Sequence, residues 1–262
     1  MSYKNELDKI IWSFSTLHLY EQCPYAFYNK KITKDEINEG NFYSDSGSFI
    51  HKINADIFLN EKNLDEAIND YVNNYENNIF YKTKQSIMDK KYIQGIEYFL
   101  NFDLKKMKEY DIVGVEDKIL FKIDKYSFIS YIDLILKSKK NQELYLIDHK
   151  SLTHFLKKDG KPLKNQLSNF KSYSNQMYLY CNAIYNKYNQ FPTKIIWNHF
   201  FEQKITEIPF NKKDYENTIN WAISTIEKIY ADNQFDAKKD YMMCKVLCGY
   251  RNSCCYINDE NE

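Results

Sequence analysis

The chain has almost no arginine. Its 36 basic residues are all lysine except Arg251. It also lacks an excess of either charge, since 36 acidic residues balance the 36 basic ones. A bulk basic footprint for nucleic acid is therefore absent, and any such binding must use a local patch. No apolar run approaches the length that crosses a bilayer. The opening MSYKNELDKI has no apolar signal-peptide segment, so a cytoplasmic protein without a membrane partner is expected. Also missing are an internal repeat, a Gly/Ser linker and a heptad run, so a separate second domain is not required.

What is present suffices for a core: 262 residues, 44% hydrophobic and 27% charged. The many tyrosines, asparagines and lysines read as an AT-rich coding bias. The lone arginine stands against that bias, inside a cysteine-rich tail. Its planar guanidinium fork is a reason to keep it, and a chance surface arginine is the alternative.

Six cysteines need a reason. A reducing cytoplasm argues against structural disulfides. Cys181 sits in the helical run NQMYLYCNAIYNKY and reads as a buried small hydrophobe. Cys23 is near the start, while Cys244, Cys248, Cys254 and Cys255 crowd into twelve residues near the end. Clustered thiols in a cytosolic chain favour a metal or an iron–sulfur cluster.

Residues 11–33 read as a short strand, WSFS, then a helix with Ser15 as its cap and Pro24 as an interruption. Residues 34–46 are polar and loop-like. Helical spacing follows over 48–59, 64–81 and 84–110. The texture changes at Asp111. IVGVEDKILFKI, YSFISYIDLIL and ELYLIDHK are β-branched and aromatic, and read as three consecutive antiparallel strands. A helix at 164–187, a strand in TKIIWNHFFE, an extended piece at 205–210 and a helix at 213–231 complete the pattern. The expectation is an α/β fold in three stretches: a mainly helical 1–110, a core at 111–231 and a cysteine-rich tail at 232–262.

Asp133 and Asp148 have numbers that sum to 281. A hairpin centred between Lys140 and Asn141 therefore puts them opposite each other, on one face. Lys150, two residues beyond Asp148, shares that face. Ile132, Leu134, Ile147 and His149 point the other way. Opposed carboxylates repel unless a cation lies between them, and hard oxygen ligands suit Mg²⁺ or Mn²⁺. A lysine beside them can orient water or stabilise charge on a phosphate. This set suggests metal-assisted phosphodiester hydrolysis, against the plainer alternative of an Asp–Lys salt bridge on a solvated strand pair. His51 is a candidate nitrogen ligand or a helix-start surface residue. Glu116 is a candidate outer carboxylate or an exposed strand residue. Gln176 and Tyr180, four apart on one helix face, are candidates for binding DNA.

In this order the segments resemble the RecB-like branch of the PD-(D/E)XK nuclease superfamily, and most closely its iron–sulfur members. Those members include the CRISPR-associated RecB-like exonucleases of spacer adaptation and the nuclease domain of AddB-type helicase–nucleases. SFSTLHLYEQCPYAFYNKKI resembles the family's opening, and GSFIHKI its Gly…His motif. YIDLIL supplies the motif aspartate, LIDHKS the (D/E)-x-K strand, QMYLY the Gln-x-x-x-Tyr motif, and CKVLCGYRNSC the closing cysteines. Two departures stand out. Ser130 and Tyr131 occupy the stretch where the family usually has glycine, and three residues rather than two separate Cys244 from Cys248.

The resemblance implies a restriction-endonuclease-like core with a helical insertion. It implies that His51, Asp133, Asp148 and the backbone carbonyl of His149 hold Mn²⁺ or Mg²⁺, that Lys150 is catalytic, and that Gln176 and Tyr180 meet substrate. Cys23, Cys244, Cys248 and Cys254, with Cys255 as alternate to the last, would hold a [4Fe–4S] cluster joining the chain's two ends. The implied activity is exonucleolytic cleavage of single-stranded or frayed DNA in CRISPR adaptation, antiviral defence or recombination and repair, with an integrase-like complex or helicase as partner. The alternatives are a non-catalytic DNA-binding or assembly subunit and a zinc-stapled adaptor.

Overall fold

Five strands form one mixed sheet in the order β1-β2-β3-β4-β5. They are β1 Tyr110–Ile123, β2 Tyr126–Ser138, β3 Leu144–Lys150, β4 Lys194–His199 and β5 Lys204–Pro209. A computed structural model provides the coordinates, and residues 3–36 and 39–257 are described. The last five residues of the expected tail, and residues 37–38 of the expected loop, lie outside the described residues. Among the described residues no helix is long and apolar enough to cross a membrane.

The helices are α1 Lys4–Leu7, α2 Phe14–Gln22, α3 Pro24–Phe27, α4 Phe42–Phe58, α5 Leu64–Asn78, α6 Gln85–Leu100, α7 Leu167–Tyr188 and α8 Lys212–Ala231. Four boundaries differ from the sequence reading. Trp12 makes a single bridge to Phe128 rather than starting a strand. Ser13, not Ser15, caps α2 by accepting the Thr16 amide at 3.2 Å. The helix expected from Ser48 begins at Phe42, whose side chain is buried together with that of Ser46. The polar surface of Ser44, Asp45 and Ser48 hides this first turn from a hydrophobicity reading. The helix expected over 84–110 stops at Leu100, and 104–109 is a short 3₁₀ segment.

The described residues group into two compact units. The first takes residues up to 41, the hairpin 120–129 and everything from 216. Its core is aromatic: Trp12 stacks on Phe27, and Phe27 on Phe235. The second takes 42–119 and 130–215. Here α4, α5 and α6 bury Phe49, Ile50, Ile53, Tyr71 and Phe99 against one another and against Phe200. Gly95 in α6 is required by close approach, because a Cβ there would occupy the space of the Tyr71 ring.

Within the second unit β3 is paired on both edges. With β2 it is antiparallel, Leu134 opposite Ile147 and Lys137 opposite Leu144. With β4 it is parallel, Asp148 beside Trp197 and Lys150 beside His199. The parallel pairing needs a long crossover, which residues 151–193 supply with α7. A strand buried on both faces reads as an unbroken apolar run. In LYLIDHK the last three residues break that run, yet Asp148 is 2% and His149 4% exposed.

Candidate active site

The β2–β3 ladder keeps the register that the sum of 281 requires and ends one step short of Asp133 and Asp148. Instead of another backbone pair, the His149 amide donates to Asp133 Oδ2 at 2.6 Å. The expected alternation is seen at Ile147, His149 and Lys150. Ile147 packs with Phe58 of α4, and the His149 ring stacks on Phe58. Lys150 instead meets Gln176 and Tyr173 of α7.

Lys150 Nζ lies 2.7 Å from Asp148 Oδ2, donates to Gln176 Oε1 at 3.0 Å, and sits 4.5 Å from the centre of the Tyr173 ring. Gln176 Nε2 donates to the Tyr180 hydroxyl at 2.8 Å. Gln176 and Tyr180 thus come to the site as expected. Their polar atoms engage the lysine and each other, and Tyr180 is buried.

On the other side, helix α4 brings His51 to two carboxylates. His51 Nδ1 is 3.5 Å from Asp133 Oδ2 and 3.9 Å from Glu116 Oε1. Glu116 reaches in because β1 turns left-handed there, with φ 45°. A non-glycine residue in that region costs roughly 1–3 kcal/mol, and the kink re-aims a strand side chain as a bulge does. No sequence pattern announces this, so Glu116 is legible only as one carboxylate of a strand. Tyr173 was also missed. The signal for it was present: positions 173, 176 and 180 are spaced for one helix face.

The polar side chains of this group and the Tyr173 ring line one open crevice of about 730 Å³. Its electrostatics are those of a cation site. Burial lowers the His51 pKa, but its contacts with Asp133 and Glu116 more than reverse this and push it up to about 10. Burial raises Asp133, and His51 outweighs that, bringing it down to about 2. Asp148 is raised to about 6, chiefly by burial, with Lys150 pulling against it and Asp133 with it.

The donor set of the crevice fits a divalent metal. His51, Glu116 and Asp133 each offer one donor atom, and these atoms lie within 4.8 Å of one another. Asp148 is not part of that close group, because its oxygen faces Lys150.

In the first unit, Cys23, Cys244, Cys248 and Cys254 line a cavity of about 190 Å³. Cys23 stands at the extended break between α2 and α3. The other three come from the tail. Burial raises the thiol pKa of Cys248, and the neighbouring Cys23, Cys254 and Cys244 raise it further. Arg251 clamps this tail. Its guanidinium donates to the carbonyls of Gly40 at 2.8 Å, Cys248 at 3.1 Å and Glu39 at 3.3 Å, and it pairs with the Glu39 carboxylate at 3.1 Å. Cys255 is exposed, 3.7 Å from the Tyr25 hydroxyl, and Cys181 is buried in α7 as expected.

The family model of the PD-(D/E)XK nuclease superfamily matches residues 11–255. The chain belongs to that superfamily. Among solved structures it is similar to a crystal structure from Eubacterium rectale titled "Putative exonuclease". That match has a TM-score of 0.56 at 12% identity and covers 100% of this chain and 91% of the other. At that identity the likeness is one of fold. A comparison with curated proteins found no match. As a member of this superfamily the chain is a nuclease of the divalent-metal-dependent kind, and its mixed sheet flanked by helices is the restriction-endonuclease-like core.

Proposed function

We propose that the chain is a DNA exonuclease acting on single-stranded or frayed ends, of the iron–sulfur RecB-like branch. Its place is CRISPR adaptation or recombination and repair, beside an integrase-like complex or a helicase. The observation that carries the catalytic part is the meeting of His51, Glu116 and Asp133 with the Asp148–Lys150 pair in one open crevice. His51, Glu116 and Asp133 would hold Mn²⁺ or Mg²⁺, with the His149 carbonyl as a further ligand and Asp148 set against Lys150. When bound, such an ion polarises the phosphate and lowers the pKa of water. The Lys150 ammonium, fixed by Asp148 and Gln176, orients the attacking water and faces the charge that develops on the phosphate. A histidine among the ligands favours Mn²⁺ over Mg²⁺.

The four thiols Cys23, Cys244, Cys248 and Cys254 would hold a [4Fe–4S] cluster. One observation supports this: the four thiols line one cavity with room for several atoms.

The test is incubation of anaerobically purified protein with single- and double-stranded DNA labelled at either end, with Mn²⁺, Mg²⁺ or chelator, alongside iron and zinc analysis. Stepwise shortening of single strands in Mn²⁺, with about four irons per chain, is expected. Internal cuts alone, or zinc without iron, would refute the exonuclease or the cluster assignment respectively.

A further inference from the structure

Asp148 and Gln176 are two neighbours of the Lys150 ammonium. The third neighbour of the Lys150 ammonium is an aromatic face. Nζ stands 4.5 Å from the Tyr173 ring centre, inside the range in which a cation is drawn to the ring's quadrupole. The ring is itself held. Phe155 stacks on it with centroids 5.8 Å apart and planes 17° apart. Phe155 is fully buried, packed edge-on against Trp197 and His199 of β4. Its amide donates to Thr206 of β5 at 3.3 Å. A column therefore runs from the β4–β5 pair through Phe155 and Tyr173 to the ammonium.

From this column we infer that Tyr173 is a positioning residue for Lys150, acting through its ring face. The inference rests on the nuclease reading for its kinetic consequence. Asp148 pairs with the ammonium at 2.7 Å, and Gln176 accepts a hydrogen bond from it at 3.0 Å. The ring closes another side without offering an acceptor. A carboxylate or amide there would redirect the N–H bonds. An aliphatic side chain would leave the charge without favourable contact in a desolvated site. The ring stabilises the charge while leaving an N–H free for water or phosphate. Leucine at 173 keeps apolar bulk and loses the quadrupole. Phenylalanine keeps the quadrupole and loses only the hydroxyl.

Two readouts keep failure of this inference apart from failure of the nuclease reading. The first is cleavage at saturating DNA and metal, with DNA affinity measured separately in chelator. Tyr173→Phe should stay within about twofold of the parent. Tyr173→Leu should lose roughly ten- to thirtyfold in kcat with DNA affinity unchanged. The second readout needs no activity. The Lys150 ε-CH₂ proton resonances should be shifted upfield by the ring current in the parent and in Tyr173→Phe, and return toward ordinary lysine values in Tyr173→Leu. Phe155→Leu, which removes the backing ring and spares Tyr173, should reduce that shift in part. If Tyr173→Phe is as impaired as Tyr173→Leu, the hydroxyl is the working group and the inference is wrong. It is equally wrong if the Lys150 resonances do not respond to Tyr173→Leu in a protein that retains its thermal midpoint. If the parent itself cleaves nothing yet shows the upfield shift, the geometry stands and the nuclease reading fails.

Discussion

The two donor-rich regions of this molecule are built on different supports. The crevice takes Asp133, Asp148 and Lys150 from adjacent strands, whose spacing is fixed by a ladder of backbone hydrogen bonds. The cysteine cavity takes its thiols from a break between two short helices and from a tail with no strand among its described residues. A site on strands is held whether or not it is loaded. A site on loop ends depends on cross-chain ties, such as the Arg251 clamp, and on whatever the thiols bind. Removing a ligand from the first should cost activity, and removing one from the second should cost structure.

The sharpest way to break this contrast is to cut a side chain from the crevice. Lys150→Ala or Asp148→Ala should lower cleavage at least about a hundredfold while the thermal midpoint and DNA binding change little. A fall in stability as large as the fall in rate would show that the two regions do not differ in kind.

The matching cut in the cavity is Cys23→Ser. If the thiols share a cluster, it closes a loop of more than two hundred residues. By the loop-entropy reasoning used for disulfides, losing that closure costs on the order of 3–5 kcal/mol. Iron content and the thermal midpoint should fall together. An unchanged midpoint with full iron would remove Cys23 from the ligand set.

A third effect belongs to the frame of the crevice. His199 is fully buried, its Nδ1–H donates to the Leu152 carbonyl, and its Nε2 accepts from the Thr206 hydroxyl. Burial holds its pKa down at about 4, against 6.5 unperturbed. Between those values the unfolded chain binds a proton that the folded chain refuses. The neutral ring's contribution is therefore complete above about pH 6.5 and is lost as pH falls toward 4. That amounts to roughly 2 kcal/mol between pH 7.5 and 5. Denaturant titrations of the parent and of His199→Gln should differ by that slope. Parallel pH profiles would show that His199 does not contribute it.

The smallest effect expected is that of Arg251→Lys. An ammonium cannot serve the Glu39, Gly40 and Cys248 carbonyls together as the fork does. A loss of about 1–2 kcal/mol is expected, with slower retention of iron on exposure to air. Equal stability would mean that the only arginine is held for charge alone.

Much of the crevice was legible in the sequence because strand geometry is periodic. The alternation in YIDLIL and LYLIDHK, with one turn between them, fixes which side chains share a face, and the observed register keeps the same sum. Glu116 could not be read that way, since its approach depends on a left-handed backbone angle that opposes the strand pattern. Gln176 and Tyr180 were found as a pair, but Gln176 bonds inward to Lys150 and Tyr180 to Gln176. A spacing of four shows that two residues share a face, not what that face meets. The start of α4 was missed because its first turn is polar outside and buries only Phe42 and Ser46. The α2 cap was misplaced by two residues because Ser13, Ser15 and Thr16 are all cap-forming types.

The two edges of β3 also differ in when they can form. Its hairpin with β2 closes over residues 139–143, whereas its pairing with β4 waits for the crossover 151–193. Short-range pairings form fast and long-range ones slowly. During synthesis the two aspartates can meet while Gln176 and Tyr173 are still unmade or undocked. The lysine is then tethered to a carboxylate but has no fixed direction. If Gln176 and Tyr173 position Lys150 as proposed, cleavage competence would arrive late, with the docking of α7.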